Sequence, residues 1–457
     1  MSAHTFDVVV LGGGSGGYAA AIRASELGKS VALIEKDRVG GTCLHRGCIP
    51  TKALLHSAEV ADTVRSAAKA GISATFDGVD AAAVRAFRDG IVARKFKGLE
   101  GLLRTRGITV VSGEGTLNPD RSITVGDDTY VGTDVVLATG SYSRTLPGLD
   151  IGGRIITSEQ ALELDEIPQR VLILGGGVIG VEFASVWRAF GAEVRIIEAL
   201  PNLVPLEDPT ISKGLERAFR RRGIAYSLGV RFQQAEQTES SVVVTLDDGS
   251  THEADYLLVA VGRGPATDNL GLDEAGINRE RGFVVTDEQL RTSAPHVWAV
   301  GDIVPGLQLA HRGFMHGIAV AELIAGQEVT PVPEHHIPKV TYSTPEVASV
   351  GLTEQAARTE YGESGVSTYE YNLAGNGKSE IIGTGGTVKV VRVTNGPVVG
   401  VHMVGDRVGE LITEGQLAVG WEAHPEDIAP LIHAHPTQSE ALGEAFLALA
   451  GKPLHAL

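Results

Sequence analysis

Apolar and polar positions near the N-terminus alternate between two kinds of segment. The apolar run Phe6–Leu11 (FDVVVL) stops at Gly12-x-Gly14-x-x-Gly17. A stretch of helical spacing continues to Leu27, and after Gly28 a second apolar run closes at Glu35. This order predicts a buried strand, a glycine turn, a helix and a second strand. It returns at Val171–Leu174, followed by Gly175-x-Gly177-x-x-Gly180, a helix to Phe190, Gly191 and a strand to Glu198. Gly12, Gly14, Gly17, Gly28 and Glu35 each recur 163 positions later, so the chain contains an internal repeat.

The close of each unit repeats as well. Val135–Ser141 (VVLATGS) and Leu257–Arg263 (LLVAVGR) read as short buried strands reaching a glycine, with Pro147 and Pro265 beyond them. Gly12 to Gly140 spans 128 residues and Gly175 to Gly262 spans 87, so the first unit carries about 41 more. A long Ala-rich helical stretch from Ile49 lies in that excess.

After Gly264 the pattern changes. Thr292–Asp302 (TSAPHVWAVGD) predicts a loop and a buried strand ending in Gly-Asp, and a helix follows from about Leu309 to Ala325. Pro331–Pro338 predicts a linker. Beyond it, strands at Thr387–Val393 and Val398–Val404 and helices at Gly409–Trp421 and Ala441–Leu449 predict a separate α+β module. The expected divisions are 1–150, 151–270, 271–338 and 339–457.

Composition narrows the possibilities. The chain has 457 residues, 43% apolar and 21% charged, with 58 glycines and few aromatics. Such glycine usage suits close backbone approaches at nucleotide-binding turns. A net charge of −17 argues against nucleic acid, whose phosphates need a basic surface. No run approaches the roughly 18 apolar residues of a membrane span. The first strand starts too near Met1 for a leader peptide, so a soluble, cytoplasmic, reducing location is expected. Two cysteines cannot build a disulfide scaffold or a Cys₄ zinc site, and no metal is expected.

The spacing of the repeat carries chemistry. The first glycine of each motif permits a tight turn, and the second lets backbone approach a pyrophosphate. The third lets the helix pack closely, with its positive N-terminus facing the phosphates. The acidic residue closing the second strand, Glu35 or Glu198, accepts from adenosine ribose hydroxyls. Two copies in matching contexts predict two dinucleotide sites.

Cys43 and Cys48 lie in Gly40–Lys52 (GGTCLHRGCIPTK), just after Glu35. A cysteine pair in a reducing compartment suggests redox catalysis, with a neighbouring flavin as electron partner. Lys52, one helical turn past Cys48, favours thiolate over thiol. Near the C-terminus, Ile432–Glu440 (IHAHPTQSE) holds two histidines before Pro436, which can begin a helix. Thiol–disulfide exchange needs a proton acceptor that titrates near neutrality, and Glu440 can orient an imidazole.

GGTCLHRGCIPTK resembles the redox-active disulfide segment of the pyridine nucleotide–disulfide oxidoreductases. The likeness extends over essentially the whole chain: both glycine motifs, Ala138–Gly140, Gly262-Arg263-x-Pro265, Gly301-Asp302 and His-Pro-Thr-x-Ser-Glu at 435–440. The tail resembles the branch of that family that oxidises dihydrolipoamide. This resemblance implies an α/β fold, with two Rossmann-like dinucleotide-binding domains and a C-terminal α+β dimerisation domain. Residues 1–150 would bind FAD, 151–270 NAD, 271–338 would complete the FAD site, and 339–457 would form the interface of a homodimer.

The resemblance also implies roles. FAD would lie on Gly12, Gly14, Gly17 and Glu35 with Lys36, and along Gly41, Thr42 and Lys52. Thr139, Gly140, Asp302 and the helix start Leu309, Ala310 and His311 would complete its site. NAD would use Gly175, Gly177, Val178, Ile179 and Gly180, with Glu182, Glu198 and Gly262. Cys48 would face the flavin and Cys43 the substrate, Lys52 would pair with Glu182, and His435 with Glu440 would be the acid–base pair. His433 falls outside the family motif and reads as a solvated loop residue. Partners would be a lipoyl-bearing protein and the acyltransferase core of a 2-oxo acid dehydrogenase complex, or the glycine cleavage system.

One departure stands out. The family usually has Asn-Val where this chain has His45-Arg46, so a cation is expected close enough to shift a thiol pKa and the disulfide potential. Glutathione- and mycothiol-type reductases share this layout but usually take NADPH, whose 2′-phosphate calls for Arg after the second unit's strand. That strand ends in Glu198, and Ala199–Val204 holds no Arg or Lys. Mercuric reductase and the large thioredoxin reductases need further C-terminal cysteines, which this chain lacks. A non-catalytic flavoprotein redox sensor would not need both the cysteine pair and the histidine motif.

Overall fold

A computed structural model describes residues 2–455. The first repeat unit builds a parallel sheet around Ala3–Leu11, which pairs with Val31–Glu35 on one side and Asp128–Leu137 on the other. Thr109–Ser112 extends it beyond Val31–Glu35. The unbroken apolar runs follow from burial on both faces, since Val8, Val9, Val10, Leu33 and Ile34 are wholly inaccessible. The second unit repeats the design with Ala225–Leu228, Glu193–Glu198, Arg170–Leu174, Tyr256–Val259 and Ile155–Ile156 in one parallel sheet.

Each glycine motif turns from strand to helix at a point where side chains do not fit. Gly12 has φ +105, and a Cβ on Gly17 would stand 1.8 Å from the Gly12 carbonyl oxygen. In the second unit, a Cβ on Gly180 would stand 2.0 Å from the oxygen of Gly175. The third glycine of each motif therefore lets the helices Ser15–Glu26 and Val178–Phe190 press onto their strands.

The segment 271–338 builds no large sheet of its own. Its strand Val297–Ala299 pairs in parallel with Asp128–Leu137, completing the first sheet. Its helix Ala310–Ile324 crosses Ser15–Glu26 so closely that a Cβ on Gly317 would stand 2.3 Å from the Gly16 oxygen. The Pro-rich stretch is not a free linker. It forms a short turn at Glu334–His336, Glu334 pairs with buried Arg312, and the Pro338 carbonyl meets His311 Nε2 at 2.8 Å.

The C-terminal module is a five-stranded antiparallel sheet, ordered Lys339–Thr341, Glu346–Gly351, Val398–Gly405, Thr387–Val393 and Val366–Asn372. Helices Val408–Gly420 and Glu440–Leu449 share its core. Contrary to expectation, no helix begins at Pro436. The chain stays irregular until Glu440, so His435 sits on a loop. No described helix is long and apolar enough to cross a membrane.

Candidate active site

The helix Cys48–Ser66 begins at the second cysteine, and Cys43 sits on the short helix Gly41–His45 before it. Both cysteines are partly buried. The neighbouring Cys43 thiol lowers the Cys48 pKa to about 7 against the opposing effect of burial, with help from Lys52. Cys48 and burial raise the Cys43 pKa. Lys52, one helical turn along the same helix, favours the charge on Cys48.

Lys52 donates from Nζ to both Glu182 oxygens, at 2.9 and 2.7 Å. Burial works against the lysine's charge, but Glu182 and Cys48 outweigh it and raise its pKa. Glu182, its side chain 4% exposed, also accepts from the backbone N–H of Tyr342 at 2.9 Å. The Tyr342 ring lies 4.8 Å from Nζ. Burial and the neighbouring sulfurs push the Tyr18 pKa up to about 12.

His45 and Arg46 do not act as expected. Arg46 pairs with Asp37 at the cavity wall near Glu35. His45 tucks in, Nε2 to the Val39 carbonyl at 2.9 Å and ring edge-on to Phe96, and burial lowers its pKa. The cation beside the sulfurs is Lys52.

One cavity of about 1950 Å³ holds the sulfurs and the tips of both glycine motifs. Its walls include Gly12, Gly14, Lys36, Gly41 and Thr42, then Thr139, Gly140, Asp302, Leu309, Ala310 and His311. On the second side they include Gly175, Gly177, Val178, Ile179, Glu198 and Gly262. Gly17 and Gly180 lie behind these walls, packing helix on strand. The two acidic residues are held alike: Glu35 accepts from Gly13 N–H at 2.7 Å and Asp37 N–H at 2.9 Å, Glu198 from Gly176 N–H at 2.6 Å and Leu200 N–H at 2.8 Å. Asp302 accepts from Ser141 Oγ at 2.5 Å, and Arg263 Nε donates to that same Oγ at 2.7 Å.

The fit to two dinucleotides is physical. At Gly14 and Gly177 a Cβ would meet nothing within 4 Å, so each motif opens directly on the cavity. Backbone N–H groups at the two helix starts suit pyrophosphate, and each bonded carboxylate keeps lone pairs for ribose hydroxyls.

His435 is elsewhere. Its side chain is 80% exposed, Nδ1 lies 2.8 Å from Glu440 Oε1, and it does not line the cavity. Glu440 also accepts from Thr437 N–H at 2.7 Å; these contacts keep its pKa low although burial opposes them. His433 is not the solvated residue expected. It is 15% exposed and bonded to Glu414 at 2.8 Å, which raises its pKa.

The chain is therefore a protein of two dinucleotide cradles that meet at a pair of cysteines. The sequence pattern of the pyridine nucleotide-disulphide oxidoreductases matches residues 6–317, and that of their dimerisation domain matches residues 337–446. The chain belongs to this family. It is 38% identical to a dihydrolipoyl dehydrogenase of Bacillus subtilis, covering 99% of this chain and all of the relative. A mitochondrial dihydrolipoyl dehydrogenase of Pisum sativum is 37% identical, covering 98% of this chain and 92% of the relative. Among solved structures, LpdA of Mycobacterium tuberculosis superposes with a TM-score of 0.90 at 26% identity, over 98% of this chain and 100% of that one. The HOCl-induced flavoprotein disulfide reductase RclA of Escherichia coli gives 0.86 at 27% identity, over 96% and 99%.

Proposed function

We propose that this chain oxidises protein-bound dihydrolipoamide to lipoamide, with FAD in the first cradle and NAD⁺ in the second. The observation that carries this reading is the run Cys43–Cys48–Lys52–Glu182 between the two cradles in one cavity. A flavin held there supplies a two-electron relay between dithiol and nicotinamide.

The chain's own residues do the thiol chemistry. In the oxidised enzyme Cys43 and Cys48 form a disulfide. A dihydrolipoamide thiolate attacks Cys43 Sγ, forming a mixed disulfide and releasing Cys48 as thiolate, which Lys52 stabilises. The substrate's second sulfur then displaces Cys43, closing the lipoamide disulfide. Two protons leave the substrate: one ends on Cys43 and one on His435, whose Nδ1 is held by Glu440 so that Nε2 is the working atom. Because His435 lies outside its own chain's cavity, the base is supplied by the second subunit of the homodimer.

The lipoyl group arrives on a partner protein, the acyltransferase core of a 2-oxo acid dehydrogenase complex or the glycine cleavage system, in the cytoplasm. Glu198, bonded twice to backbone, favours NAD over NADP. The test is turnover by the purified FAD-loaded protein. Dihydrolipoamide with NAD⁺ should give NADH at a kcat/KM far above that for glutathione disulfide with NADPH. The reverse ranking assigns the chain to the low-molecular-weight disulfide reductases.

A further inference from the structure

Between strand Glu193–Glu198 and helix Pro209–Arg222 the chain crosses the second glycine motif as an irregular loop. Ala199, Leu200, Pro205 and Leu206 of this loop line the cavity beside Gly175 and Gly177. Val204 N–H donates to the Gly176 carbonyl at 2.8 Å. To make that bond Val204 takes φ +42, the only left-handed backbone at a β-branched residue among those described. Such a conformation persists only where surrounding contacts impose it.

Within its own domain the Val204 carbonyl accepts from Glu207 N–H at 2.9 Å and from Ser212 Oγ at 3.2 Å, while most contacts at residues 206–208 come from the dimerisation domain. Lys339 Nζ donates to the Leu206 carbonyl at 3.1 Å and pairs with Glu207 Oε1 at 3.1 Å. Ser349 Oγ donates to Glu207 Oε2 at 2.5 Å. Asp208 is fully buried. It caps the helix by accepting from Thr210 N–H, accepts from Glu354 N–H at 3.1 Å, and pairs with Lys389 Nζ at 3.0 Å. Lys389 is 3% exposed and also bonded to Glu354 at 2.7 Å. Exposed ion pairs would position little, whereas a buried pair that loses one member leaves a stranded charge and forces its neighbours to move. Leu206 is 76% exposed, so packing does not hold it; its carbonyl is held instead.

We propose that Lys339 and Lys389 are positioning residues for the pyridine nucleotide. Through Leu206, Glu207 and Asp208 they hold loop 199–207 in its strained form against the second glycine motif, and so set the affinity for NAD⁺. The inference rests on the reading that this cradle takes NAD⁺. It adds that the dimerisation domain of the same chain shapes that site.

The test is equilibrium binding of NAD⁺ to the purified FAD-loaded dimer by calorimetry, without dihydrolipoamide, alongside melting temperature and FAD content. Wild type must bind NAD⁺; if it does not, the proposed function fails rather than this inference. Lys339→Met should weaken Kd about tenfold and raise the KM for NAD⁺ similarly, with kcat at saturation within about twofold. Lys339→Arg, which keeps the charge and the donors, should stay within about threefold of wild type. Lys389→Met should act in the same direction; if it does not fold, Lys339→Met decides alone. Glycine accepts φ +42 without strain, so in a Val204→Gly background Lys339→Met should weaken Kd less than about threefold. A lower melting temperature with unchanged Kd would show that the lysines only join two domains and would overturn the proposal. So would simple additivity of Val204→Gly and Lys339→Met.

Discussion

Lys52 Nζ sits 2.7 Å from Glu182 Oε2, joining the helix that starts at Cys48 to the helix that leaves the second nucleotide motif. The lysine therefore faces the sulfur of one domain while it is anchored by the carboxylate of the other. Its effect on Cys48 follows from that placement: a cation held rigidly near a buried thiol favours the thiolate.

The Cys48 pKa lies near 7 and below its ordinary value, so the thiolate is present above that pH and is lost as pH falls through it. The thiolate-to-flavin absorption of the two-electron-reduced protein should titrate away with a midpoint of about 7. Lys52→Met should move that midpoint up by about one unit, equivalent to ~1.4 kcal/mol. Arg46→Val should leave it in place, because Arg46 is paired with Asp37. A larger shift from Arg46→Val than from Lys52→Met would reverse the assignment.

The two sulfurs should separate by mutation. Cys48→Ser should abolish the long-wavelength absorption of the reduced protein. Cys43→Ser leaves Cys48 able to ionise and should show the band before any reductant is added. Visible spectra of the two variants check this, and the opposite pattern would exchange the inner and outer roles.

Nucleotide choice should follow Glu198. Its carboxylate suits ribose hydroxyls and repels a 2′-phosphate, a cost on the order of 2–4 kcal/mol, or roughly 30- to 1,000-fold in kcat/KM. Rates with NAD⁺ and NADP⁺ measure it directly. A preference for NADP⁺ would reopen the glutathione-reductase-like reading.

Sharing of the site between subunits can be tested with hybrid dimers. A chain carrying Cys48→Ser and one carrying His435→Ala are each expected to be nearly inactive alone. If His435 serves the partner's sulfurs, equal co-assembly restores about a quarter of wild-type activity, because half the dimers are mixed and each has one intact site. Verified heterodimers with no activity would place the base in its own chain.

The helix crossing at Gly16 and Gly317 should tolerate no side chain. A Cβ on Gly317 would also stand 2.7 Å from Ala20 N, and backbone on both sides leaves little room to adjust. Gly317→Ala should destabilise the protein by about 1–3 kcal/mol, read as a lower melting temperature and faster FAD release. Gly420→Ala, where a Cβ meets nothing within 4 Å, is the control.

Local features can be read in residue order. Gly13 and Gly176 each bond a carboxylate 22 residues ahead, and the strand, turn, helix and strand between them are written in residue order. For that reason both cradles and the cysteine pair were legible without coordinates, whereas His435 was singled out from His433 only by the family resemblance. Features that depend on partners far apart in the chain emerge only on folding. Tyr342 reaches Glu182 across 160 residues, and Val297–Ala299 joins a strand laid down far upstream. Lys339 and Lys389 meet a loop of another domain, with no spacing rule to connect them. Arg46 shows the same limit at short range. Its proximity to the cysteines in sequence suggested an effect on the sulfurs, but side-chain direction after a five-residue helix turned the charge toward Asp37. Local spacing sets which backbone groups can meet, whereas packing between domains sets where each charge points, and the thiol chemistry depends on both.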